Sequence, residues 1–324
     1  MKLSLYALII GFFIDLAVGD PHNFPHPVIL IGKMISFLQK KLTAVMPKTE
    51  KGEKFAGLIL WICVVLCSWI VPFVILLVLK NINPWLALAA ESVMCWQILA
   101  VKSLKTESMK VYYKLKDGDI PAARYAVSMI VGRDTAQLDD KAIARAAVET
   151  VAENTSDGVA APMLFMAIGG APLGFFYKAV NTMDSMLGYI EPPYKNIGFV
   201  PAKADDAANF VPARVCALIM LLAGAVQGLN FKNGWKIFVR DRFNHASPNS
   251  AQTEAVCAGL LGVRLAGDAV YHGVLHKKKY IGDALRDIEY EDIKKVCRLM
   301  YITALLCLCL SCGIKVIICL LLGG

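Results

Sequence analysis

Arg145, Glu149, Glu153 and Asp157 stand four residues apart in the segment R-A-A-V-E-T-V-A-E-N-T-S-D-G, 145–158. On a helix each lies roughly 40° round from the last, so all four share one stripe. All but Arg145 are carboxylates, and like charges at that spacing repel by roughly a few tenths of a kcal/mol per pair. The residues between them, Ala146, Ala147, Val148, Val151 and Ala152, are small and apolar, and the run 159–176 that follows is apolar enough to enter a bilayer. Acids at the mouth of a membrane segment cost energy, and the usual reason to keep them is a bound cation or a reaction. The competing reading is a solvated helix face that is simply acidic.

Further along, Asp184, Asp205 and Asp206 add carboxylates, and Asn154, Asn181 and Asn209 add amide oxygens. Hard oxygen donors suit Mg²⁺, which is typically held by one or two carboxylates together with substrate phosphates. The cations Lys178, Lys195, Lys203, Arg214, Arg240, Arg242 and Arg264 suit phosphate or carboxylate. Acids for a metal and arginines for anions, both at a membrane face, point to phosphoryl chemistry with a nucleoside triphosphate. Spacing alone leaves open whether these groups converge. The sequence has no Walker A loop, no G-x-S-x-G, no H-E-x-x-H and no dinucleotide fingerprint. His272 and His276, beside a run of lysines, read as a solvated helix end. His22 and His26, in a proline-rich loop, read as structural before they read as ligands.

The elements that must position these residues are membrane helices. The chain has 324 residues, 57% of them hydrophobic and only 19% charged, with a mean hydropathy of +0.54. Those values leave the soluble globular class. The formal charge of +8, from 34 Lys and Arg against 26 acids, fits cytoplasmic loops beside anionic lipid. No stretch interleaves basic and aromatic residues on a long polar surface, so no nucleic-acid partner is expected. The ten cysteines lie almost entirely in apolar runs and read as reduced packing residues.

The expected fold is all-α: one integral membrane domain over 1–324 with about four to six membrane segments. These fall at about 3–19, 55–79, 85–101, 159–178, 210–228 and 299–322, with amphipathic cytoplasmic helical regions at about 102–158 and 229–298. Asp15 within the first segment argues against a cleaved signal peptide and for an uncleaved helix whose acid faces protein. Asp134 or Thr135 is the expected N-cap of the helix carrying the acidic stripe. Glycines and prolines interrupt 159–178, so with 210–228 it is expected to form a re-entrant pair, which keeps Asp184, Asp205 and Asp206 near the cytoplasmic face. The basic regions 19–54, 102–158 and 229–298 then share the cytoplasm.

Five segments in order resemble one family. G-D-P-H-N-F-P-H-P-V (19–28), A-V-E-T-V-A-E-N-T-S-D-G-V-A-A-P (147–162) and G-G-A-P-L-G-F-F-Y-K-A-V-N-T-M-D-S-M-L-G-Y (169–189) are followed by D-D-A-A-N-F-V-P-A-R (205–214) and by S-P-N-S with G-L-L-G-V-R-L-A-G (247–267). They look like the adenosylcobinamide-phosphate synthase (CobD/CbiB) family of cobalamin biosynthesis, over nearly the whole chain. Gln252-Thr253 departs from the family pattern and bears only on a local substrate contact. The resemblance implies a multi-pass ligase of the prokaryotic cell membrane with its active site on the cytoplasmic side. It would join aminopropanol, or its phosphate, to a propionate carboxylate of adenosylcobyric acid, with ATP and Mg²⁺ driving amide formation through an acyl phosphate.

On that reading Glu149, Glu153, Asp157, Asp205 and Asp206 are metal ligands, and Glu149, Glu153, Asp157 and Asp184 carry catalysis. Asp184 and Asp205 are further ligands or the base for the ammonium. Arg145, Asn154, Lys178, Asn181, Arg214, Arg242, His245 and Asn249 meet the nucleotide or the corrinoid. Partners are the corrinoid, the aminopropanol substrate and the lipid bilayer; other late-pathway cobalamin enzymes and a second copy of the chain stay open. The rivals are a non-catalytic membrane sensor or scaffold, and a Mg²⁺-dependent membrane prenyltransferase, for which only Asn181 and Asp184 approach the required motif.

Overall fold

The computed structural model describes residues 2–21, 26–188, 194–271 and 273–321; His22 lies outside them, as does His272. The chain opens with α1 (Lys2–Val18) and α2 (Pro27–Val45). His26 caps α2: its Nδ1 accepts from the Val28 N–H at 3.3 Å, and its Nε2 stands 3.5 Å from Asp20. Thr49 caps α3 (Glu50–Ile82), and Asn83 with Pro84 starts α4 (Pro84–Ile98), the usual chemistry of helix starts. Then come α5 (Val101–Lys116), α6 (Ile120–Ser128) and α7 (Asp140–Thr155). The cap of α7 is Asp139, whose side chain accepts from the Ala142 N–H at 2.7 Å, not Asp134 or Thr135, which belong to the preceding loop. A π-helical turn, Ser156–Ala160, leads to α8 (Ala161–Leu187).

The chain continues as α9 (Phe199–Ala208), α10 (Phe210–Val226), α11 (Phe231–Asp241) and α12 (Ser250–Leu261), then the short strands β1 (Leu265–Ala266), β2 (Ala269–Tyr271), β3 (Val274–His276) and β4 (Tyr280–Ile281), and ends in α13 (Glu291–Leu321). The strands pair antiparallel, β1 with β4 and β2 with β3, so the region expected to be helical over 229–298 is interrupted. Gly262, left-handed at φ 68°, stops α12. His276, expected at a helix end, lies on a strand, its ring edge-on to Tyr271.

By length and composition the described residues contain four helices able to cross a membrane: Glu50–Ile82, Pro84–Lys116, Asp140–Leu187 and Glu291–Leu321. A fifth is possible if Phe199–Ala208 and Phe210–Val226, bent by 45°, form one broken or re-entrant span. The expected first segment, 3–19, is α1 with 17 residues, about 25 Å of rise, at the short end of the range that crosses a bilayer. Its Asp15 is fully buried, facing protein as expected. In the most apolar window of Glu50–Ile82 only 22% is buried, and Trp69, Ile70, Val71 and Phe73 are exposed, a surface suited to lipid.

The chain divides into two compact units, one of Met1–Leu99, Ala161–Asn209 and Leu308–Gly324, the other of Ala100–Ala160 and Phe210–Cys307. In the first, α1 packs along α4, and α3 packs against α2, α8 and α9. Here α8 is broken rather than folded into a hairpin: Gly169 (φ −125°, ψ 17°) and Gly170 (φ 67°, ψ −166°) leave helical geometry. The carboxylate of Glu91 lies where a Gly170 Cβ would be, so both backbone and space require glycine there. Glu91 Oε1 accepts from the Ala171 N–H at 3.3 Å and from Ser4 Oγ at 2.5 Å. On the other side of the break Lys315 Nζ donates to the Met166 carbonyl at 2.9 Å. A carboxylate thus meets the N-terminal end of one half-helix and an ammonium the C-terminal end of the other, each matching the helix dipole.

In the second unit α12 is buried along its length and packs against α7, α10 and α11. The strand region is tied down by charge. Asp241 Oδ2 accepts from the Gly282 N–H at 2.7 Å, and Arg286 bridges Asp292 at the start of α13 with bonds of 2.7 and 2.5 Å.

Candidate active site

The acidic stripe forms as expected on α7 but does not stay together to its end. Glu149, Glu153, Thr150 and Asn154 line one small cavity of about 120 Å³ with Gly132, Arg133 and Tyr271. Glu149 is almost fully buried. Its Oε2 takes Arg133 at 2.5 Å, and its Oε1 accepts from the Ala266 N–H at 2.6 Å. Ala266 adopts φ 57°, a strained setting for a residue with a Cβ, and this turn of the backbone presents its N–H to the carboxylate. Glu153 has no ion pair among the described residues. Asn154 donates its amide to the Thr150 carbonyl at 2.9 Å, which leaves its oxygen available.

Arg145, one turn earlier, is not the counter-ion of Glu149; Arg133 holds that place. Arg145 instead lines a larger cavity, about 710 Å³, together with Arg133, Thr135, Gln137, Ala266 and Val270. Asp157 lies in the π turn, lines neither cavity, and stands close enough to Cys216 of α10 for its charge to be felt there.

Two further groups join this region. His245, between α11 and α12, feels the charges of Glu153 and Glu149. Burial outweighs them and holds its pKa below the ordinary value, so the ring is neutral, with Nδ1 accepting from the Ser247 N–H at 3.1 Å. Glu254 on α12 was not anticipated. It is 5% exposed, and its Oε2 has no hydrogen-bond partner among the described residues. Burial, then the charges of Glu153 and Glu149, push its carboxyl well above the usual range, only partly opposed by Arg133 and Lys278. A lone acid in an otherwise small and apolar helix was the signal for it in the sequence. Arg133 lies in a loop, Gly132-Arg133-Asp134-Thr135, where no periodicity marks a pairing residue.

Arg214, Arg242 and Asn249 also come together. Arg214 donates to Asn249 Oδ1 at 3.2 Å and feels the like charge of Arg242. The Arg242 guanidinium lies over Phe238 and Phe243 at 5.2 and 4.9 Å, with a buried Nε that has no partner among the described residues. Gln252, on the departure from the family pattern, donates to the Arg242 carbonyl at 3.2 Å.

The remaining expected residues lie in the other unit. Asp205 is buried and accepts from Asn209 Nδ2 at 3.0 Å and Asn181 Nδ2 at 3.4 Å, while Tyr177 donates to Asn209 Oδ1 at 2.8 Å. This network joins α8 to α9. Its neighbour Asp206 turns outward and pairs with Lys203 at 2.9 Å. Asp184 sits against Gly188, where any Cβ would strike its carboxylate, and Lys178 lies on the same helix. Among the described residues no group of three or more His, Cys, Asp or Glu is arranged to hold a metal. Two carboxylates in one cavity with an amide oxygen are nonetheless the donor set that suits Mg²⁺ when phosphates supply the rest.

A helical protein with several helices able to cross a membrane, and with carboxylates and guanidinium groups around two cavities that share Arg133, is a candidate membrane enzyme. The model of the CobD/CbiB protein family matches residues 8–300, and the chain belongs to that family. It is 45% identical over 315 residues to the cobalamin biosynthesis protein CobD of Clostridium perfringens, covering 96% of this chain and 99% of that one. It is 43% identical over 320 residues to the cobalamin biosynthesis protein CbiB of Salmonella choleraesuis, covering 97% and 99%. No solved structure matches it.

Proposed function

We propose that this protein is the cobalamin-biosynthetic ligase that joins aminopropanol, or its phosphate, to a propionate carboxylate of adenosylcobyric acid, using ATP and Mg²⁺. It works in the prokaryotic cell membrane with its active site facing the cytoplasm. The family supports the pathway. The observation that carries the chemistry is the cavity shared by Glu149, Glu153, Asn154 and Arg133.

A carboxylate does not react with an amine at neutral pH until one of its oxygens becomes a leaving group. Transfer of the γ-phosphoryl group of ATP to a propionate oxygen releases ADP and gives an acyl phosphate. The amine nitrogen then attacks the acyl carbon, the bond to the phosphate oxygen breaks, inorganic phosphate departs, and a proton of the former ammonium goes to a base. Mg²⁺, when bound, neutralises phosphate charge; Glu149 and Glu153 would hold it, with the Asn154 oxygen. Asp157, next on the same stripe, is proposed as a further ligand. Arg214, Arg242, Asn249 and His245 would meet the corrinoid or its side chains.

The test is Glu153→Gln in the full-length membrane protein, which keeps shape and removes charge. ATP- and Mg²⁺-dependent formation of the cobinamide product should fall by roughly 100-fold or more, the scale for deleting one electrostatic group at a reacting centre. Full activity would remove Glu153 from the site and favour a scaffold role for the cluster.

A further inference from the structure

The 710 Å³ cavity beside the acids has no place yet in the reaction. Its size falls within the roughly 300–1,000 Å³ of small-ligand and cofactor pockets. Ser128, Thr135 and Gln137 offer neutral donors and acceptors, Ala136, Leu138, Ala142 and Val270 an apolar bed, and Arg133 and Arg145 guanidinium groups. The acids in its wall are already engaged: Asp134 Oδ2 accepts from the Gly273 N–H at 2.8 Å, and Asp268 Oδ1 from the Lys278 N–H at 3.2 Å. Arg145 has no ion pair among the described residues, and its buried Nε has no hydrogen-bond partner there. A positive charge left uncommitted in a pocket otherwise suited to a base and a sugar is the arrangement expected for a phosphate-bearing ligand.

Arg133 lines both this cavity and the small acidic one, and in this structure it is paired with Glu149. We propose that the larger cavity seats the nucleoside triphosphate, with Arg145 and Arg133 on its phosphates, and that Arg133 passes from Glu149 to the nucleotide on binding. Glu149 keeps its bond from Ala266, and its Oε2, released by Arg133, turns to the cation beside Glu153. Nucleotide and Mg²⁺ therefore bind cooperatively, each raising the affinity of the other by the same factor. This rests on the ligase reading above. The phosphate could also belong to the aminopropanol ester, but that small molecule would leave most of the cavity unfilled.

Binding of a fluorescent ATP analogue to the full-length protein in detergent, with and without Mg²⁺, tests this. Arg145→Ala and Ala136→Trp, the latter filling the exposed rim of the cavity, should each weaken binding by about tenfold or more. Mg²⁺ should tighten wild-type binding by about fivefold or more, and Arg133→Ala should abolish that dependence. Unchanged affinity in both Arg145→Ala and Ala136→Trp, in a wild type that binds ATP and makes product, would overturn the location while leaving the ligase reading intact. Displacement of the analogue by aminopropanol phosphate but not by ATP would also overturn it. A wild type that neither binds nor consumes ATP would overturn the ligase reading and this site with it. Thermal unfolding of each variant separates lost binding from lost fold.

Discussion

Two places in the molecule, the break in α8 and the surroundings of α12, treat buried charge in opposite ways. In the unit containing the broken helix α8, Glu91 accepts from Ser4 and Ala171, Lys315 donates to Met166, and Asp205 is held by two asparagine amides. In the unit containing α7 and α12, Thr253 Oγ1, Glu254 Oε2, Arg145 Nε and Arg242 Nε are buried without hydrogen-bond partners among the described residues. A completed polar network in a low-dielectric interior rigidifies a fold. An incomplete one costs about 1–3 kcal/mol per orphaned group and persists where a ligand or reacting group is to be met. The buried charge at the α8 break and around Asp205 therefore reads as architecture, and the buried polar groups around α12 as a candidate site.

The sharpest way to break that contrast is at Glu91 and Lys315. Lys315→Met strips the Met166 carbonyl of its donor and leaves Glu91 without its nearby cation. An unsatisfied buried carbonyl that had a charged donor, with a cation lost near a half-buried carboxylate, costs about 3 kcal/mol, read as a large fall in Tm in detergent. The double exchange Glu91→Lys with Lys315→Glu should not restore stability, because it would set an ammonium against the N–H of Ala171 and a carboxylate against a carbonyl. Recovery by the exchange would reduce the pair to a simple ion pair with no role at the helix break. A smaller loss follows at Asn209→Ala, which removes one amide from Asp205 and the acceptor of Tyr177. About 1–3 kcal/mol is expected, and no change in Tm would show that Asp205 is not held by this network.

How legible this was in the sequence differs between the same two regions. The long apolar runs announced themselves because period and length suffice, and Asp15, Gly169 and Gly170 each marked a real constraint. The four-residue spacing pointed to Arg145, Glu149 and Glu153 as parts of one region, and they line two cavities that share Arg133. Spacing could not say that Arg133, sixteen residues upstream, would take Glu149 from Arg145, since loops set long-range pairing. Glu254 showed in the sequence only as a lone acid in a small, mostly apolar helix, and the packing of α12 on α7 is what brings it to Glu149 and Glu153. The strands over 265–281 were missed for a related reason: they are two or three residues long, too short for any alternation to register. Asp206 carried the same motif weight as Asp205, yet adjacent helix positions face different ways, and one is buried while the other meets Lys203.

The smallest effect expected is also the one that separates the two kinds of buried charge most cleanly, because its sign is reversed. The folded pKa of Glu254 is raised above its unfolded value of about 4.3. Between those two values the folded state keeps a proton that the unfolded state has released, so stability is fully present at low pH and is lost as pH rises. Glu254→Gln keeps the shape and neutrality of the protonated acid and removes this dependence. The variant should match the wild type near about pH 4 and exceed it progressively toward about pH 8, measured as Tm against pH in detergent. Asp205→Asn, which sets an amide N–H₂ against the amide donors of Asn181 and Asn209, should instead lower Tm. If Glu254→Gln were instead less stable at every pH by a constant amount, its carboxyl would be held by the fold as Asp205 is, and the polar groups around α12 would count as architecture too.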